Sequence, residues 1–476
     1  MQRLSALDAS FLALDGGHSV GHVCLVAVLE GDLDLGNLRE VVRSRLDLVP
    51  LLRKKLHTPL GVGRPYWVPD PDFDLDRHLF ERRLRRPGGP RQLAREVERI
   101  AIPVLDRDLP LWQIHVLRGL PDGCTGLVTK IHHAAVDGIA GRELLTALLE
   151  AEREQPVGVS MEHEVQSVPA ALQAVGRGLG HVLALPVQVV RLEARLLRKV
   201  PYLSAFALAS AARVSDRSIE WLSGGDPTDD GVLASLPQVL APPTPFNRAI
   251  SADRAWAFGR LPIDSTRPLR RKVGASVNDV LLAATAGALR RWLLERNALP
   301  GEPLRAMVPV SVRTTTQLSE LGNRIGVMLC PLPTNEPDPL ARLGVVREST
   351  VVAKQHNAIS ARRLQEITRF AVPSLTTRAV GVAARVRLAD WVRLPANLVV
   401  SNVPGRRQPV QLAGHVLRAL YPVPPISDGL GLNITVQGYR DDLHLGVTVS
   451  PELIPDVWAL VGYLEDAYDE LVRLAE

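Results

Sequence analysis

The chain has 476 residues, 46% hydrophobic and 22% charged, an ordinary globular mix that excludes general disorder and collagen-like or disulfide-framework classes. A single hydrophobic core stops growing at roughly 250–300 residues, so at least two lobes are expected. Fifty-six basic against 51 acidic residues leave a net charge of +5, too balanced for a dedicated nucleic-acid binder.

Only six of the basic residues are lysine, an arginine bias that suits bidentate contacts with phosphate or carboxylate and fits a GC-rich genome equally well. Cys24, Cys124 and Cys330 lie far apart, which gives no metal spacing and points to buried thiols in a reducing compartment. Met1 to Asp8 contains no apolar run of the kind a signal peptide needs. Mean hydropathy is high for a soluble chain, at +0.06. Yet no uninterrupted apolar stretch reaches the ~20 residues of a spanning helix.

Residues 1–160 read as a first α/β lobe. His22–Leu29 is a short apolar run suited to a buried strand, Gly31–Asp34 breaks it, and a helix is expected from Leu35 to Leu46. Arg82–Pro90 reads as a basic, solvated loop. Arg91–Ile102 is amphipathic and stops at Pro103. Trp112–Leu117 and Leu127–His132 alternate as strands, and Gly138–Glu152 has a helical pattern.

Residues 161–240 change character. Apolar residues from Leu172 to Leu196 recur at steps of three and four, an amphipathic stripe that Pro186 should interrupt. With Arg177, Arg191, Arg195 and Lys199 off the stripe, it suits either an interfacial helix or packing on the protein's own lobes. Residues 241–476 read as a second α/β lobe. Strands are expected at Met307–Val312, Ile325–Leu332, Asn397–Ser401, Leu432–Gln437 and Leu443–Val449, the last two as a hairpin. Helices are expected at Asp279–Leu294 and Val457–Leu474, and the interspersion predicts mixed sheets.

The chemically richest stretch is Lys130-Ile131-His132-His133-Ala134-Ala135-Val136-Asp137-Gly138, joining a strand to a helix. Neighbouring strand residues point to opposite faces, so one histidine can reach a substrate while the other packs inward. Histidine is a natural general base for a hydroxyl or amine. A chance pair in a core strand, Asp137 as a plain helix cap, and a metal site of poor geometry are the competing readings.

The His-His-x-x-x-Asp-Gly pattern resembles the signature of the CoA-dependent acyltransferase superfamily, which includes chloramphenicol acetyltransferase-like enzymes and peptide-synthetase condensation domains. Around it the chain resembles the bacterial wax ester synthase/acyl-CoA:diacylglycerol acyltransferase family nearly end to end. The similar segments are Leu4–Leu12, Asp106–Trp112 with Pro110-Leu111-Trp112, Ser276–Leu282 with Asn278-Asp279, Val308–Arg313, Gly322–Gly326 and Asn397–Gly405.

That resemblance implies two chloramphenicol acetyltransferase-like α/β lobes with a substrate tunnel between them. It implies long-chain acyl transfer from acyl-CoA to diacylglycerol, to a fatty alcohol, or to both. His133 would be the general base, His132 and Asp137 would hold the loop, and Asp137 would pair with an arginine. Asn278 would assist from a helix start or act as its N-cap, and Trp112 would support packing. No cofactor or metal is implied, because acyl-CoA is a substrate. The protein would be cytoplasmic, peripheral at the inner membrane face or on lipid droplets. An acyl donor on a carrier protein, and a non-catalytic lipid-binding or droplet protein, are the alternatives. A covalent route is not suggested, since no Gly-x-Ser-x-Gly elbow is present.

Overall fold

The computed structural model describes residues 2–15, 17–58, 65–135, 240–311, 325–356 and 380–474. Asp137, the expected helix Gly138–Glu152 and the stripe from Leu172 to Leu196 lie outside those residues. The first part of the chain runs β1 (Gln2–Arg3), α1 (Ala6–Leu14), β2 (His22–Leu29), α2 (Leu35–Arg45), β3 (Lys54–His57), β4 (Tyr66–Pro69), β5 (Leu79–Arg83), α3 (Pro90–Ala101), β6 (Trp112–Arg118) and β7 (Thr125–His132). The second part runs β8 (Ala255–Pro262), α4 (Arg267–Val273), α5 (Val277–Leu294), β9 (Leu304–Ser311), β10 (Ile325–Leu332) and α6 (Pro339–His356). It closes with β11 (Leu398–Arg406), β12 (Gln411–Leu412), β13 (His415–Val423), β14 (Leu432–Tyr439), β15 (Asp442–Val449) and α7 (Val457–Arg473).

Two six-stranded sheets organise the lobes, in the orders β12-β13-β2-β7-β6-β5 and β10-β9-β11-β14-β15-β8, beside a small sheet β1-β4-β3. Both large sheets are mixed, as expected. β5 runs parallel to β6 in the first, and β11 runs parallel to both β9 and β14 in the second. The expected hairpin is present, with β14 and β15 antiparallel from Leu432↔Val449 to Tyr439↔Asp442. The lobes are not contiguous in sequence. β12 and β13 come from the far end of the chain, and β13 pairs with β2 across the edge of the first sheet.

Alternation along β2 and β7 explains the two cores of the first lobe. Ala27, Leu29 and Leu127 face a cluster built on α2, whereas Cys24, Val26 and Val128 face one built on α3. Asp34 caps α2 by accepting from Asn37 N, and Pro90 opens α3 where a missing N–H costs nothing. In the second lobe, α5 is buried on every side from Asp279 through Ala286 and forms the centre of that core. Arg82 and Arg83, expected in a loop, instead end β5. This is the edge strand of its sheet, and exposed arginines there oppose edge-to-edge pairing.

The α3-side cluster also joins the lobes. Trp256 of β8 is fully buried in it, its Nε1 donates to Pro422 O at 3.0 Å, and its backbone N–H donates to Glu98 Oε1 at 2.8 Å. Beside it β15 approaches β13 so closely that a Cβ on Gly446 would lie 1.8 Å from Pro422 O. Gly446→Ala must therefore push backbone against backbone. We expect a loss of about 1–3 kcal/mol in urea unfolding, without loss of the folded baseline. An unchanged midpoint would contradict this packing.

Candidate active site

β7 ends at His132, and the two histidines straddle that end. His132 stands on the α3 face of the sheet, directly across from His22 of β2, and is buried. Its backbone N–H donates to Leu111 O at 3.1 Å, so the Pro-Leu-Trp element fixes the strand end. Trp112 is buried with it, stacked on His78 at 4.4 Å and donating from Nε1 to Leu52 O, which is the packing role expected of it. His133 is half-buried. Its backbone N–H donates to Gly21 O at 2.8 Å, and its ring stacks on Phe11 of α1 at 4.9 Å.

The ring of His132 is committed on both nitrogens. Nδ1 accepts from the Ala134 N–H at 3.0 Å, so the proton belongs on Nε2, which faces Asp15 Oδ2 at 3.3 Å. Asp15 caps the C-terminal end of α1. Its carboxylate also accepts from Gly21 N at 2.7 Å and from Arg107 Nη2 at 3.1 Å. Burial pushes its pKa up, but these hydrogen bonds and the His132 imidazole outweigh it and hold the group at about 2. Gly21 thus touches Asp15 through its N–H and His133 through its C=O. No side chain fits there, because a Cβ would lie 2.5 Å from Phe11 O and 2.6 Å from His132 Nε2.

Beneath the histidines lies a second polar layer. Lys130, two residues before His132 on the same face, is buried and donates from Nζ to Ile100 O at 2.8 Å and to Pro103 O. His22 Nε2 donates to Ala101 O at 2.6 Å. The Ile100 and Ala101 carbonyls are orphans of the last turn of α3, Pro103 O follows just beyond it, and the ammonium meets the negative end of the helix dipole. Burial lowers the Lys130 pKa. Burial and the Lys130 charge push His22 down to about 3, so it is neutral at physiological pH.

The second lobe closes on the loop between Asp15 and β2. His18 Nδ1 donates to Ile250 O at 2.8 Å, Arg254 Nη2 donates to His18 O, and Asp428 N donates to Ser19 Oγ at 3.3 Å. The histidine pair therefore lies where the two lobes meet.

Asn278 is half-buried in the first turn of α5. It is not the N-cap: Ser276 is, in a capping box with Asp279, because the hydroxyl and carboxylate three residues apart satisfy each other's backbone N–H. Among the described residues no hydrogen bond joins Asn278 to either histidine. Asp137 lies outside the described residues, and the Asp–Arg pair beside the motif is Asp15 with Arg107. Sequence reading missed Asp15 and Gly21. Their only local signal was the Asp15-Gly16-Gly17 turn after the apolar run of α1. Among the described residues no cluster of three or more His, Cys, Asp or Glu is placed to hold a metal ion. All three cysteines are buried and free, as expected.

Residues 4–281 match the wax ester synthase/diacylglycerol acyltransferase catalytic domain, and residues 321–472 match the C-terminal domain of the same family. Two Mycobacterium tuberculosis proteins named as diacylglycerol O-acyltransferases are 31% and 30% identical, each over 100% of this chain and over 98% and 97% of their own. The solved wax ester synthase/diacylglycerol acyltransferase from Marinobacter aquaeolei VT8 is 25% identical and covers 100% of both chains with a TM-score of 0.67. The starter condensation domain of rhizomide synthetase shares the fold at a TM-score of 0.57, 15% identity, and coverage of 100% of this chain and 94% of that one.

Asp15 is depressed in the folded state relative to an unfolded value near 3.8, so it stabilises the fold above about pH 4 and that contribution fades as pH falls toward 2. We expect Asp15→Asn to cost about 2 kcal/mol at pH 7 in urea unfolding, and the gap to native protein to narrow below about pH 4. A gap independent of pH would show that the carboxylate charge is not what the site uses.

Proposed function

The chain belongs to the wax ester synthase/diacylglycerol acyltransferase family, and from that membership we propose an acyl-CoA-dependent O-acyltransferase in which His133 is the general base. A long-chain acyl group moves from acyl-CoA to the hydroxyl of diacylglycerol, of a fatty alcohol, or of both. The imidazole of His133 takes the proton of the acceptor hydroxyl as that oxygen attacks the thioester carbonyl. The tetrahedral intermediate then collapses, the C–S bond breaks, and the same imidazole returns the proton to the departing sulfur. The products are an ester and free CoA thiol, and the balance needs no cofactor.

The observation that carries this assignment is the commitment of His132. With one ring nitrogen on the Ala134 N–H and the other on Asp15, it has no nitrogen to give to a substrate. Proton transfer passes to its half-buried neighbour, whose backbone is tied to Gly21 and whose ring rests on Phe11. Asp15, Gly21 and Arg107 act as positioning residues. Asp137, which follows the histidines in the motif, is given the same role. Asn278, in the other lobe, is given no step. The acceptors are lipids, so the protein works peripherally, at the inner membrane face or on droplets, although no helix among the described residues is long and apolar enough to cross a membrane.

Purified protein incubated with labelled palmitoyl-CoA and either diacylglycerol or hexadecanol should form ester. His133→Ala should lower the rate by about 10²–10⁴-fold while circular dichroism and the unfolding midpoint stay near native. Undiminished turnover in a folded His133→Ala protein would remove the general-base assignment.

A further inference from the structure

We propose that the surface from Val382 to Arg393 docks onto an anionic lipid bilayer. Three large apolar side chains project from this short stretch. Trp391 is 73% exposed, Val386 60% and Val382 56%, the highest values among the exposed large hydrophobics of the described residues. Arginines alternate with them. Residues 380–394 carry Arg385, Arg387 and Arg393 against one acid, Asp390, and Arg248 is exposed beside it.

The stretch is fastened by hydrogen bonds. Asp390 Oδ1 accepts from Ala249 N at 2.9 Å, its other oxygen accepts from Arg387 Nε at 2.7 Å, and Trp391 N donates to Leu388 O. Asp390 is thereby bound inward, while the indole is presented outward on a fastened turn. A groove of about 380 Å³ runs alongside, between Pro242–Pro245 and Trp391–Leu394, with Arg248 and Arg393 in its walls. Asp390 is taken up by Arg387, with Asp428 and Glu452 also near that guanidinium, so Arg248, Arg385 and Arg393 are the cations left to flank the apolar side chains and the groove of headgroup size, an arrangement that matches the boundary between acyl chains and anionic headgroups. A patch built on so few side chains is far below the roughly 20–30 residues per side of a stable protein interface.

The inner face of the same segment touches Gly17, in the loop that leads from Asp15 to β2. Val380 and Ala384, one helical turn apart, press on Gly17, where a Cβ would lie 3.0 Å from the Ala384 Cβ. Gly17 is two residues from Asp15. A bilayer bound on the outer face would therefore lie one helical segment away from the loop that positions the histidines. The inference rests on the acyltransferase reading only for why a lipid surface is useful. Its test does not depend on that reading.

Vesicles of phosphatidylcholine alone, and of phosphatidylcholine with phosphatidylglycerol, should be sedimented with the full chain at low and high salt. Native protein should pellet with the anionic vesicles and be released by salt. Trp391→Ser, and Arg385→Glu with Arg393→Glu, should each weaken that binding at least about tenfold. Both variants should keep native turnover on a short-chain, water-soluble alcohol, which separates failed docking from a failed active site. Vesicle binding equal to native in both variants would overturn the proposal, as would native binding indifferent to lipid charge. A third overturning result is a native dimer that Trp391→Ser makes monomeric without changing vesicle binding, since the surface would then belong to a second copy of the chain.

Discussion

A single buried carboxylate organises the meeting point of the lobes. Asp15 accepts from the Gly21 N–H, from Arg107 and from His132, and each of these bonds fixes something different. The His132 bond sets that ring's tautomer. The Gly21 bond sets the peptide whose carbonyl then holds the His133 backbone. The Arg107 bond adds a smaller favourable contribution to the carboxylate than His132 or Gly21, and ties α1 to the segment leading into Pro110-Leu111-Trp112, because Arg107 also donates to Leu12 O. Without the carboxylate Gly21 would lose its tie to the C-terminal end of α1, and the two histidines would lose their common reference point.

Under this arrangement the protein keeps a cation where a hydrophobic sheet face would be expected. Lys130 and His22 occupy the α3 side of β7 and β2 and answer the carbonyls at the end of α3. Replacing them with apolar residues would leave those carbonyls buried and unanswered, at about 1–3 kcal/mol for each group. The polar layer therefore caps the end of α3 and ties it to β7 and β2. The same α3 face carries the lobe junction through Trp256 and Glu98. Positioning of the histidines and association of the lobes thus share one layer of packing.

Local pattern was a good guide wherever burial alternated or an end was capped. β2 and β10 fall on the ranges their apolar runs predicted, and α2, α3, α5 and α7 differ by two residues or fewer at each end. What escaped was set by distant partners. β13 is a strand because it completes a sheet begun nearly four hundred residues earlier, a pairing no local window contains. β8 carries Ala, Gly and Arg among its apolar residues and reads weakly until it is placed on β15. α6 spreads its apolar residues around the helix, so no stripe announces it. In the site, the adjacent histidines were legible from their motif. Asp15 was not, because its significance lies in a bond to His132, 117 positions away. At α5 the capping side chain is Ser276, not Asn278, although serine followed three residues later by an acid was there to be read.

The central claim is that Asp15 and Ala134 occupy both ring nitrogens of His132, with the proton on Nε2, and so leave proton transfer to His133. Nitrogen-15 NMR of histidine-labelled protein at pH 7, with His132 assigned by comparison with a His132→Asn variant, measures this directly. The account predicts a His132 ring protonated on Nε2 and bare on Nδ1, in a single tautomer. A proton on Nδ1, or rapid averaging between the two tautomers, would contradict it.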